Sequence, residues 1–170
     1  MGLYARPSAE YWRPKEGEYK AQIVDIVDLG IVESNFEGRV SFPHKFILIT
    51  ELDVQESPTT LRHCVLEWLT LSTHEMSNLR AILEDILDRE LTDQEYEDGY
   101  DIEKLLGTKL MVKVVDKASG IGPRRKVRSI IRRRQPTKKT FKSSYIRSDY
   151  LQKLADEADI TPPADDELGF

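Results

Sequence analysis

Apolar residues, Ile and Val above all, dominate Tyr19–Val32, and the pattern predicts a long strand that bends or bulges at Gly30. Glu33–Pro43 reads as a loop. Lys45–Leu52 alternates as a second strand, with Phe46, Leu48 and Leu52 on one side and Lys45, Ile47 and Ile49 on the other. Asp53–Thr60 contains Ser57-Pro58 and reads as a turn. In a third strand, Arg62–Leu71, Val65, Leu69 and Leu71 share one face while Cys64, Leu66 and Trp68 share the other. The period then lengthens. Ser72 and Glu75 fit a capping box, followed by a helical stripe of Met76, Leu79, Ile82, Leu83, Ile86 and Leu87. Thr92 and Glu95 repeat the box before a short acidic helix, and Asp101–Leu106 adds a helical turn ended by Gly107. Strands are predicted again at Lys109–Val115 and Lys126–Ile131, across a flexible turn at residues 119–123. From Arg132 the chain lacks a core pattern until residues 148–158, where Tyr150, Leu151 and Leu154 support a short helix.

Three strands, a helix and two strands is the element order of the OB-fold, a five-stranded Greek-key barrel with its helix between strands three and four. The expected fold class is therefore mainly β with helix (α+β), with flexible tails. The expected organisation is an N-terminal arm over 1–17, an OB-fold domain over 18–132, and a basic linker with an acidic tail over 133–170.

Charge is distributed unevenly along this order. The 170 residues carry a net charge of −5, which taken alone disfavours a nucleic-acid binder. Residues 1–123 hold 13 basic and 23 acidic groups, whereas residues 124–147 hold eleven Lys/Arg and no Asp or Glu. Residues 148–170 return to one basic and seven acidic groups. Binding follows the local potential within a Debye length, so the basic block counts for more than the total. A single cysteine, Cys64, excludes a disulfide framework and reads as a small core residue. No run reaches the length of a membrane span and no signal peptide opens the chain, so the expected location is the cytoplasm.

Two stretches resemble known families. Glu16–Gly30, together with Leu71–Arg80 and Leu105-Leu106-Gly107, resembles bacteriophage single-stranded DNA-binding proteins of the OB-fold type, over roughly residues 16–131. The stretch Asp165-Asp166-Glu167-Leu168-Gly169-Phe170 resembles the acidic, Phe-ended tip of bacterial single-stranded DNA-binding proteins, with Leu168-Gly169 in place of the usual Ile-Pro. The resemblance implies a protein that coats transient single strands in phage replication or recombination, in the host cytoplasm. It implies partner recruitment through Asp165, Asp166, Glu167 and Phe170.

A single-strand binder needs cations for phosphates and aromatic faces for bases, stacking being worth roughly 1–3 kcal/mol per base. In an OB-fold the groove lies on strands two and three, between the first and last hairpin loops. The candidates there are Lys45, Arg62 and Trp68 on the strands, and Phe36, Arg39 and Phe42 in the first loop. Arg124, Arg125, Lys126 and Arg128 follow the later turn, and Trp12 and Arg13 lie in the arm. For Trp68, beside Cys64 and Leu66, core packing and base stacking both fit. Phe36 and Phe42 equally suit a barrel cap, and Trp12 equally suits packing of the arm. Arg132–Arg134 leads out of the last strand toward Lys138, Lys139 and Lys142, and this tract equally suits the chain's own acidic tail. The tail would then compete for the groove until DNA releases it.

No enzyme is indicated. His44, His63 and His74 lack metal-ligand spacing, Gly120-x-Gly122 lacks P-loop context, and no cofactor is implied. Two rivals remain: a replisome interaction module with weak DNA binding, and a Mg²⁺-dependent nuclease built on Asp25 and Asp28. Monomer and homo-oligomer are both compatible with exposed strand edges.

Overall fold

The computed structural model describes residues 12–55, 62–120, 122 and 126–147. The chain forms β1 (Gly17–Ile31), β2 (Ser34–Phe36), β3 (Arg39–Ser41), β4 (His44–Gln55) and β5 (Arg62–Thr70). Then come α1 (Asn78–Leu87), α2 (Asp93–Asp98), a 3₁₀ turn (Ile102–Leu105), β6 (Lys109–Ser119) and β7 (Lys126–Pro136). The turn expected over 53–60 falls partly, and the helix expected over 148–158 wholly, outside the described residues.

The main sheet has the order β5-β4-β1-β6-β7, with every neighbouring pair antiparallel. This order is consistent with an OB-like fold. Its central strand is β1, which serves two ladders. Gly17–Gln22 pairs with β6, and Ala21–Ile31 pairs with β4. The β1–β4 register shifts between Ile23 and Asp25 and again between Asp28 and Gly30. Each shift adds a residue to one strand, and such bulges bend a strand and increase its twist. Gly30 sits at φ +71°, a left-handed conformation that glycine adopts without a Cβ penalty. The predicted bend is therefore present, and a second one lies upstream at Val24.

The expected closed barrel is an open sheet. Strands β5 and β7 are its edges, and no ladder joins them among the described residues. Curvature nevertheless brings the edges together, and side chains span the gap. Arg134 of β7 pairs with Glu67 of β5, and α1 packs on both strands. Arg134 keeps only 4% of its side chain in water and Glu67 keeps 20%. The three arginines expected to leave the sheet instead lie within β7, where Arg134 stands opposite the buried Val112. The strand runs past 132, the expected domain boundary, because this seam gives the arginine a partner.

The core fills the concave side. Ile23, Phe46, Leu48, Val65, Leu110 and Val114 come from the sheet, and Leu79, Ile82, Leu83 and Ile86 from α1. The cap of α1 differs from the expected Ser72/Glu75 box. Ser77 is the N-cap, its hydroxyl accepting from Arg80 N at 3.2 Å. Ser72 is already engaged, accepting from His74 N at 3.2 Å. Met76 therefore precedes the helix and is exposed rather than part of the buried stripe. The Thr92/Glu95 box is present, with reciprocal bonds of 3.1 and 3.0 Å.

The seam makes a stability prediction. Arg134→Met leaves Glu67 without its cation and is expected to cost roughly 3 kcal/mol. Adding Glu67→Leu should recover most of the loss, because apolar packing can replace a buried pair. Urea unfolding of the two variants checks this. Equal stability of the single and double variants would contradict it.

Candidate nucleic-acid interface

The segment expected as the first loop contains the β2–β3 hairpin. Phe36 pairs with Arg39 across Glu37 and Gly38, whose φ values are +50° and +79°. Positive φ at both central residues is the requirement of a type I′ turn, which matches the twist of the flanking strands. Directly opposed residues share a face, so the Phe36 and Arg39 side chains leave the hairpin on the same side. Phe36 is 54% exposed and Phe42 is 65% exposed, with Ile31 and Val40 also open to solvent. The two phenylalanines do not cap the core.

The β6–β7 hairpin carries cations in register. Lys117 stands opposite Arg128, and Lys113 opposite Arg133. Like charges directly opposed in a ladder are destabilising unless an anion lies between or above them. Both pairs lie on the face away from Leu110, Val112 and Val114, which point into the core. Sequence reading singled out Arg128 but missed Lys113 and Lys117. Their signal was the alternation Lys109-x-x-x-Lys113-x-x-x-Lys117, which places all three on one side of a strand.

Between the edges β5 and β7 and the helix α1 lies a cleft of about 310 Å³. Trp68, Lys117, Arg128, Arg132 and Arg134 line it, with Asp85 from α1. The structure thus brings together Trp68 and Arg128, which are 60 positions apart in sequence. Trp68 is half-buried, on a strand whose Cys64 and Leu66 belong to the outer apolar cluster.

Other candidates have structural partners. Trp12 packs edge-to-face on His63, with centroids 5.7 Å apart. Arg13 reaches Asp116 at 3.7 Å and the Val127 carbonyl at 3.5 Å, tying the arm to β6 and β7. Lys45 is buried, only 7% exposed. Arg62 pairs with Asp53 at 3.2 Å and lies over the Phe141 ring at 5.5 Å. The side chains of Arg124, Arg125 and Lys126 lie outside the described residues, as do Asp165, Asp166, Glu167 and Phe170.

Residues 137–147, expected to belong to a linker, pack across the outer face of β4 and β1. Thr137 N bonds to the Lys109 carbonyl at 3.1 Å. Farther on, the Ser144 amide and hydroxyl donate to Glu51 Oε2 at 3.0 and 3.2 Å, and Arg62 N donates to Ser144 Oγ at 3.0 Å. Tyr145 joins a small apolar cluster around Ile49 and Cys64, and its hydroxyl donates to Asp25 Oδ2 at 2.5 Å. Arg147 grips both oxygens of Asp25, with Nε at 2.7 Å from Oδ2. Burial alone would push the Asp25 carboxyl up, but bonds from Arg147 and Tyr145 outweigh it and hold the carboxyl below its ordinary range. The Tyr145 phenol is pushed up, first by burial and then by the carboxylate beside it.

The two carboxylates of the nuclease reading are thus held apart by different partners. Asp25 is held by Arg147 and Tyr145. Asp28 bonds to His44 Nε2 at 2.6 Å, a contact that lowers its carboxyl pKa. Among the described residues no three His, Cys, Asp or Glu side chains gather as a metal site requires, and no helix is long and apolar enough to cross a membrane.

No family model matches the chain. No curated protein matches it either. Among solved structures, a chain described as yeast RPA bound to ssDNA aligns over 91% of this chain and 92% of its own length. The two are 12% identical and the TM-score is 0.32, too low to establish a common fold.

Asp25 gives a pH prediction. A carboxyl whose folded pKa is depressed stabilises fully above its unfolded value of about 3.9 and loses that contribution as pH falls through the folded value. Asp25→Asn should therefore be less stable than the parent at pH 6, and the gap should close as pH drops below about 4. Urea midpoints across this range check the sign, and a gap that stays constant down to pH 2.5 would contradict it.

Proposed function

We propose that this chain is a single-stranded DNA-binding protein. The observation that carries the reading is the cationic ladder of β6–β7. Lys117 faces Arg128 and Lys113 faces Arg133 in one ladder, with the apolar pair Val115 and Ile130 between them. Four cations gathered in one ladder raise the local positive potential and favour binding of a polyanion. A phosphate backbone supplies negative charge at regular intervals and releases counterions as it binds. Two further features suit a single strand over a duplex. The exposed Phe36 and Phe42 offer ring faces to unstacked bases, and Trp68 lies in the cleft beside the cations. The open sheet would then act as the OB-like platform anticipated from element order.

In this reading the protein works stoichiometrically, coating transient strands during phage DNA replication or recombination in the host cytoplasm. It needs no cofactor and performs no chemistry on the strand. The acidic segment Asp165–Glu167, with Phe170, recruits other replication or recombination proteins. Arg124, Arg125 and Lys126 extend the phosphate contacts beyond the ladder.

Titration of intrinsic tryptophan fluorescence with oligo-dT at several salt concentrations tests the reading. The expected result is saturable binding whose log K falls linearly with log salt. An absence of binding even at low salt would favour a protein-interaction module, and Mg²⁺-dependent loss of the oligonucleotide would favour a nuclease. Phe36→Ala and Phe42→Ala should each weaken binding by roughly 1–3 kcal/mol if each ring stacks on a base. Their melting temperatures should stay near the parent's, since both side chains are largely in water. Unchanged affinity in the double variant would remove the hairpin from the interface.

A further inference from the structure

An OB-like platform would be expected to receive a strand on β4 and β5, yet two buried carboxylates stand on the outer face of β4 and the neighbouring β1, Glu51 and Asp25. Bare, this face would repel phosphates. It is not bare, because Ser144, Tyr145 and Arg147 lie over it and engage both carboxylates, Glu51 being fully buried and Asp25 nearly so. The same segment turns Lys138, Lys139 and Lys142 to solvent, and it contains no acidic residue. The covering therefore replaces a negative surface by a positive one. That surface continues from the cationic ladder, since the segment leaves the end of β7 and is pinned to β6 by Thr137.

We infer that residues 137–147 are a fixed strap that forms part of the DNA track, with the strand passing over the strap and contacting Lys138, Lys139 and Lys142. The inference rests on the DNA-binding reading and assigns the path that reading leaves open. The opposing arrangement is displacement, in which DNA lifts the strap and lies directly on β4 and β5. Displacement would expose Asp25 and Glu51 to the incoming phosphates and break the bonds to Ser144, Tyr145 and Arg147. A fixed strap keeps those bonds and presents only cations.

Hydrogen exchange of the full chain, read at the Ser144 amide with and without oligo-dT, separates the two. The amide donates to Glu51 in the free protein, so it is protected there. With a fixed strap, protection is kept or increased on binding. The triple variant Lys138→Ala/Lys139→Ala/Lys142→Ala should lower the slope of log K against log salt by about 2, from roughly 0.7 per phosphate contact on a single strand. The charge-neutral double variant Ser144→Ala/Tyr145→Phe loosens the strap. It should weaken oligo-dT binding severalfold, whereas displacement requires it to strengthen binding. Loss of Ser144 protection on binding, an unchanged salt slope or tighter binding by the loosened strap would each overturn the strap assignment while leaving DNA binding intact. An absence of oligo-dT binding by the parent chain would instead overturn the DNA-binding reading and the strap's place in the track with it. Ser144 protection in the free protein would then still report whether the strap docks.

Discussion

Strand β1 has to satisfy two ladders at once, and the rest of the molecule depends on how it does so. A flat strand pairing β6 over its first residues and β4 over the rest would extend the sheet without enclosing anything. The bulges at Val24 and near Gly30 coil the strand, so the flanking pairs β4–β5 and β6–β7 turn toward each other over α1. The core and the seam, with its cleft, are consequences of that coiling. The outer face exists because the same strand turns Asp25 and Val27 away from the core while Ile23 and Ile26 point in.

Coiling stops short of hydrogen-bonded closure, and the gap is bridged by ions and a helix. A ladder between β5 and β7 would have satisfied their backbone groups and left no room between them. The Arg134–Glu67 pair instead holds the edges together through side chains, at a desolvation cost that backbone pairing would avoid. The compensation is a cleft lined by Trp68 and several cations. A stretch that would be only an edge in need of protection becomes a surface with chemistry.

Much of this architecture was legible from the sequence, and the failures have physical reasons. The five main strands and the two faces of β4 and β5 follow from patterning in apolar segments, and the bend at Gly30 from the glycine itself. The β2–β3 hairpin was not legible because its turn is Glu37-Gly38 and lacks the Asn or Asp that marks a type I′ turn. The cap of α1 was misplaced because Ser72 and Ser77 both precede the helix, and only the bond from His74 N to Ser72 shows which is free to cap. The end of β7 was missed because Arg134 is an inward-facing cation, and hydrophobic patterning reads any such position as solvent. The strap carries no periodicity, since it holds the sheet through Ser, Tyr and Arg. Of the candidate site residues, Trp68 and Arg128 converge at the cleft and Phe36 and Arg39 at the hairpin. Lys45, Trp12 and Arg62 turn out to be engaged within the fold, which depends on contacts distant in sequence.

Cys64 gives the strap a further significance. The chain's one thiol is buried against Ile49, with Tyr145 packed beside it. Lifting of the covering segment uncovers that sulfur on one side, so under conditions that keep the sheet folded its alkylation rate reads how often the strap lifts, much as a shutter sets exposure. The residue that first read as inert filling is thus a built-in clock for the motion of the segment above it, with no label to be introduced.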